Sequence, residues 1–194
     1  MLAGGIGVVV FLTLFPGVLF AAMSAQSFSE LAQTMRAFQQ SRVLLTAIEL
    51  DVFTAVGQEA TAAQVSARLR TNPRATESFL NALAAMGALT KKGSVFRNTP
   101  DTARYLVAGS PDYARPALMH TAHLWKAWST LTECVRRGTA VIPPGVEGQE
   151  PEWTESFIAA MHRSAETTAP EVVRAVGAAG VRTTSGAVVS ALRC

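Results

Sequence analysis

The chain is poor in charge and cysteine, and it lacks a glycine-rich nucleotide loop. Each shortage excludes something. Charged residues make up only 16% of its 194 positions against 49% hydrophobic, which rules out the composition of a disordered chain and leaves enough apolar material for one ordinary core plus part of another. Cys134 and Cys194 are too few for a disulfide framework, so a reducing compartment, the cytoplasm, is expected. Three histidines do not make a metal centre. His120 and His123 lie three apart and share a helix face, but zinc needs further ligands, with Cys134 three turns away and His162 past a linker. Packed or surface histidines are therefore expected. No glycine-rich phosphate loop of the G-x-G-x-x-G kind occurs, and no convincing catalytic set follows. Cys134 has no partner base in the pattern, and His162 has nothing to show reach to a substrate proton.

Charge is also missing locally. No charged side chain stands between Met1 and Ser29. Residues 1–22 read either as a signal-like or anchoring segment, which leaves membrane attachment open, or as a stretch upstream of a true start at Met23. Against a signal peptide, no Lys or Arg precedes the apolar run and Pro16-Gly17 interrupts it.

What is present is helical periodicity. Phe28, Leu31, Met35 and Phe38 fall on one face of a short helix over 27–40, and a second helix begins near Ser41 and ends at Gly57. Thr61-Ala62-Ala63-Gln64 is a capping box that opens a helix carrying Val65 and Leu69. Asn72-Pro73 caps the next, with Phe79, Leu80, Leu83 and Met86 on its apolar face and Gly87 at its end. Leu89-Thr90-Lys91 and Ser94-Val95-Phe96, joined at Lys92-Gly93, form a hairpin. Three helices and a hairpin follow winged-helix order. Thr99 caps a brief helix through Leu106, and a longer one runs to Arg137, ended by Gly138, with Leu118, Trp125, Trp128, Leu131 and Val135 on its apolar side. Residues 141–151 are rich in Pro and Gly and read as a linker. A helix from Trp153 to Ala169 aligns Phe157, Ile158, Met161 and Ala165, and Pro170 restarts the chain for a last turn through Val176. The chain is mostly α.

Ala47-Ile48-Glu49-Leu50-Asp51-Val52-Phe53, the Thr61–Leu69 stretch, Phe79–Leu89, Trp128–Gly138 and Phe157-Ile158-Ala159-Ala160-Met161 together, in this order, resemble the N-terminal dimerisation domain of S-adenosylmethionine-dependent small-molecule O-methyltransferases of the caffeate and hydroxyindole type. The resemblance covers roughly 23–181. It implies an intertwined homodimer whose domain also walls the substrate pocket. Carried over residue by residue, it makes Phe157 and Met161 substrate contacts; Trp128 matches a helix position whose role is either substrate contact or packing. The resemblance breaks off where the family's acidic, glycine-rich cofactor loop belongs. Residues 180–192 hold few glycines and no carboxylate, and they look like the helix that follows such a loop. The family's histidine base, expected far downstream, is absent.

The resulting expectation has four parts: a hydrophobic segment over 1–22, a winged-helix dimerisation domain over 23–140, a linker over 141–152, and the truncated opening of a Rossmann-like methyltransferase domain over 153–194. The function implied is a dimerisation and substrate-pocket module for a small aromatic or polyketide-like hydroxyl acceptor. It has no catalytic residue, metal or bound S-adenosylmethionine of its own and is inactive alone. The alternative is a dimeric winged-helix regulator, since Arg68, Arg70, Arg74, Lys91, Lys92 and Arg97 face only Glu77 between Thr61 and Asn98. Its third helix, however, offers only Arg74, Glu77 and Asn81 to base edges, with Lys91 and Lys92 left for phosphates, so nucleic acid is not an expected partner. The aromatic group Trp125, Trp128, Trp153 and Phe157 reads as core and dimer packing, or as the wall of an acceptor pocket.

Overall fold

A computed structural model describes residues 27–142 and 151–177. The expectations for 1–22 and 180–192, and most of the linker, lie outside the described residues. The elements are α1 (Phe28–Glu49), α2 (Val52–Val56), β1 (Ala60–Thr61), α3 (Ala62–Leu69), α4 (Pro73–Ala85), β2 (Leu89–Lys92), β3 (Val95–Asn98), α5 (Pro100–Leu106), α6 (Arg115–Trp128), α7 (Leu131–Arg137) and α8 (Pro151–Ala175). The chain is mainly helical, with one small antiparallel sheet of order β1-β3-β2. It divides into two compact units, whose described residues are 27–42 with 125–142, and 43–124 with 151–177.

The second unit owns the core. Ala47, Val52, Phe53, Val56, Val65, Leu80, Leu83, Leu89 and Phe96 are closed to solvent, drawn from α1, α2, α3, α4 and the sheet. Local chemistry sets these elements. Thr61 and Gln64 close the capping box at the start of α3, and Asn72 caps α4 with Pro73 in its first turn. Thr99 caps α5 in the same way. The hairpin pairs Leu89 with Asn98 and Lys92 with Val95.

Long-range polar contacts then lock the elements together. The Asn98 side-chain amide donates to the carbonyls of Phe53 (2.9 Å) and Gly57 (2.7 Å), closing the end of α2. Arg68 donates to the Ala55 carbonyl at 2.5 Å. Arg115 donates to the carbonyls of Ile48 (2.7 Å) and Glu49 (3.2 Å) in the last turn of α1, where a cation is favoured by the helix dipole. Its Nε also stands 3.6 Å from Asp51, which takes the left-handed conformation at φ 55° that aspartate tolerates better than most residues.

Four boundaries differ from the sequence reading. α1 does not break at Gln40-Ser41: the Ser41 hydroxyl donates back to the Ala37 carbonyl, and no glycine or proline interrupts the turn. It ends instead at Glu49, and Val52–Val56 is a separate short helix. The long helix expected through Arg137 splits after Trp128, where the Ser129 and Thr130 hydroxyls donate to the carbonyls of Lys126 and Ala127 (2.7 Å each) and compete with continued helix. α8 starts at Pro151, within the stretch read as linker, and runs through Pro170 rather than restarting there, although an interior proline gives up one helix hydrogen bond. The sheet also has a third strand, β1, that pattern alone did not show.

The first unit has a different character: none of its described residues is buried. Phe28 (83% exposed), Met35 (66%) and Phe38 (53%) line α1 beside Leu31, and Leu131 and Val135 on α7 are also open. The Arg42 guanidinium lies over the Trp125 ring at 5.4 Å.

Candidate functional site

In the second unit α6 and α8 meet through rings. Trp153 and Phe157, one helical turn apart on α8, stack with centroids 5.5 Å apart and planes 11° from parallel. Both meet His120 of α6 in T-shaped contacts, with centroids 5.5 Å and 5.3 Å away. This is the offset and edge-to-face geometry that aromatic quadrupoles favour. His120 is 7% exposed, and its Nδ1 is enclosed without a hydrogen-bond partner. Burial first, and the neighbouring His123 second, hold its pKa below the ordinary histidine value, so the ring is neutral near pH 7. One turn along α6, His123 Nδ1 meets the hydroxyl of buried Ser156 at 3.0 Å. That hydroxyl donates to the Trp153 carbonyl at 2.8 Å. Its single proton is thereby committed, so the Ser156 oxygen accepts and His123 carries its proton on Nδ1. Further along α8, Arg163 lies over the Tyr105 ring at 5.7 Å.

The residues expected to contact substrate are distributed unevenly. Phe157 is half-buried in the ring cluster, and Met161 is half-buried one turn further along α8. Trp128 ends α6 in the other unit and is 55% exposed. The spacing of His120 and His123 on one helix was legible. The burial of His120 between two rings of a helix thirty residues away was not, because nothing in the pattern says which elements meet.

The histidines do not form a metal site: among the described residues no three His, Cys, Asp or Glu side chains gather closely enough to hold an ion. His162 lies 3.3 Å from Glu166 within its own helix, and Cys134 stands 3.6 Å from the Thr130 hydroxyl. Of the residues weighed for nucleic acid, Lys91 Nζ donates to Asn81 at 2.7 Å and lies 5.0 Å from the Phe96 ring. A cofactor cradle of the expected kind needs several glycines in one loop with a carboxylate beyond it. The glycines among the described residues stand singly at turns, and the 180–192 stretch lies outside the described residues. No helix among them is long and apolar enough to cross a membrane.

Comparison with known proteins places these observations. Residues 32–108 match the family profile "O-methyltransferase dimerisation domain". The tetracenomycin polyketide synthesis 8-O-methyl transferase TcmO of Streptomyces glaucescens is 34% identical over 139 residues, covering 68% of this chain and 41% of that protein. The solved structure of an O-methyltransferase family protein from Burkholderia thailandensis superposes with a TM-score of 0.66 at 29% identity, over 77% of this chain and 46% of the other. A structure of PigF with SAH superposes at 0.52 with 27% identity, over 58% of this chain and 38% of the other. The chain thus spans less than half the length of the relatives it matches. A mainly helical build with one small antiparallel sheet is in keeping with that profile, and residues 32–108 of this chain match the O-methyltransferase dimerisation domain.

Proposed function

We propose that this chain is the dimerisation and acceptor-pocket part of an S-adenosylmethionine-dependent methyltransferase acting on a small aromatic or polyketide-like hydroxyl compound. In this reading residues 23–140 form a winged-helix dimerisation domain, 141–152 link it onward, and 153–194 open the catalytic domain. The single observation that carries it is the first unit's lack of any buried residue while Phe28, Leu31, Met35 and Phe38 stand open along α1. A contiguous apolar row of this kind marks an interface, and the dimerisation-domain match supports a second copy as the occupant. Phe157 and Met161 are the acceptor contacts; Trp128 keeps the packing role that its family position also allows.

No donor site and no catalytic base can be built from the described residues, so their part in the reaction is to pair, to wall the acceptor and to exclude water. Sedimentation equilibrium at micromolar concentration is expected to give twice the chain mass, and Met35→Glu with Phe38→Glu is expected to give one. The purified chain is expected to transfer no label from methyl-labelled S-adenosylmethionine. A monomeric unaltered chain refutes the pairing, and turnover by the purified chain refutes its dependence on a catalytic part.

A further inference from the structure

His120 is a neutral ring with one nitrogen sealed in and one not. Nδ1 is enclosed and unpartnered. Nε2 is not enclosed, and it has no hydrogen bond among the described residues. A neutral imidazole carries one proton, and its placement follows from burial. An enclosed N–H with nothing to accept it is rarer and costlier than an enclosed lone pair. The proton therefore sits on Nε2, and the bare lone pair of Nδ1 faces inward. The ring thus leaves one unpaired N–H donor with some access to solvent, near the half-exposed, mutually stacked rings of Trp153 and Phe157.

Ser156 holds this arrangement in place. It is buried, its oxygen accepts a hydrogen bond from His123 Nδ1–H, and its hydroxyl donates to the carbonyl of Trp153, so the helix carrying the stacked pair is tied to the helix carrying His120. A neutral donor at the edge of two parallel aromatic faces suits a flat ligand with an electron-rich oxygen on its rim. It is poorly suited to a cation or to a flexible aliphatic chain.

We propose that the Nε2–H of His120 is a specificity-determining hydrogen-bond donor, and that it recognises a carbonyl, quinone or phenolate oxygen of a planar polycyclic ligand stacked on Trp153 and Phe157. This deepens the acceptor-pocket reading and rests on it for the identity of the ligand as substrate; the donor geometry stands on the residues alone.

The test compares two probes of one shape. Anthraquinone-2-sulfonate carries two ring carbonyls, whereas anthracene-2-sulfonate carries none. Equilibrium dialysis against the full chain is expected to show the quinone bound about five- to tenfold more tightly, the range one neutral hydrogen bond supplies. His120→Phe keeps the ring packing and is expected to reduce the ratio to about one, whereas His120→Gln keeps an N–H and is expected to retain a preference. Circular dichroism of each variant separates lost recognition from lost fold, and if His120→Phe does not fold, the wild-type ratio and His120→Gln decide the matter. Equal binding of the two probes by the unaltered chain, binding of neither, or a preference that survives in folded His120→Phe overturns the proposal. Sedimentation on the same samples keeps the two readings apart. A dimer without probe preference defeats the His120 proposal alone; a monomer with preference defeats the pairing and leaves the donor.

Discussion

Asn98 offers the most direct test of how the second unit is held together. Its side-chain amide divides its two hydrogens between the carbonyls of Phe53 and Gly57, at 2.9 and 2.7 Å, and so ties the last residue of the sheet to the end of α2. The two acceptors are not equivalent. The Phe53 carbonyl also receives the Gly57 N–H at 3.1 Å and stays satisfied when Asn98 is removed. The Gly57 carbonyl loses the side-chain donor that reached it. Asn98→Ala therefore removes both hydrogen bonds: the one to Phe53 has a net worth of about 1 kcal/mol, and the loss at Gly57 leaves a carbonyl to bear a desolvation penalty of about 1–2 kcal/mol, its half-buried position letting water recover part of it. The expected loss is about 2–3 kcal/mol. Asn98→Asp keeps the volume but replaces the donors with a carboxylate pointed at two carbonyl oxygens, so it is expected to cost at least as much. Asn81→Ala, at an exposed acceptor of a surface lysine, is the control and is expected to change stability by less than about 0.5 kcal/mol. Urea unfolding followed by circular dichroism gives all three values. If Asn98→Ala falls within about 0.5 kcal/mol of the unaltered chain, the clamp carries no weight and the reasoning fails.

Two further outcomes follow from buried polar groups. His120 has a lowered pKa in the folded chain, so below the ordinary histidine value of 6.5 the unfolded chain binds the proton more readily; stability is expected to hold above that pH and to fall as pH drops through it, and His120→Phe is expected to flatten the fall in denaturation midpoints measured between about pH 7.5 and 5. Arg115→Met removes the donors from the Ile48 and Glu49 carbonyls and leaves the enclosed Asp51 oxygen without its countercharge. It is expected to cost about 2–4 kcal/mol in the same unfolding assay, and a loss below about 1 kcal/mol would show that water replaces it.

What the sequence by itself determined is local. The helix starts at Thr61, Asn72 and Thr99 need only a side-chain oxygen three residues from a free N–H, and the Lys92-Gly93 turn needs only a glycine at positive φ; both are available within a few residues of chain. The apolar row of α1 was likewise visible as spacing, because a helix face is a local property; its exposure was not. Tertiary structure decided the rest. Two residues, Ala60 and Thr61, become a strand only because Phe96 and Val95 lie alongside them. Ser129 and Thr130 break a helix that apolar periodicity would have continued, since hydroxyl bonds to nearby carbonyls compete with a pattern that records only hydrophobicity. His120 reads in sequence as one of two histidines on a face. Its enclosure beneath Trp153 and Phe157, and with it the division of its two nitrogens into an inner lone pair and an outer donor, exists only once α8 lies against α6, and no spacing along either helix encodes that meeting.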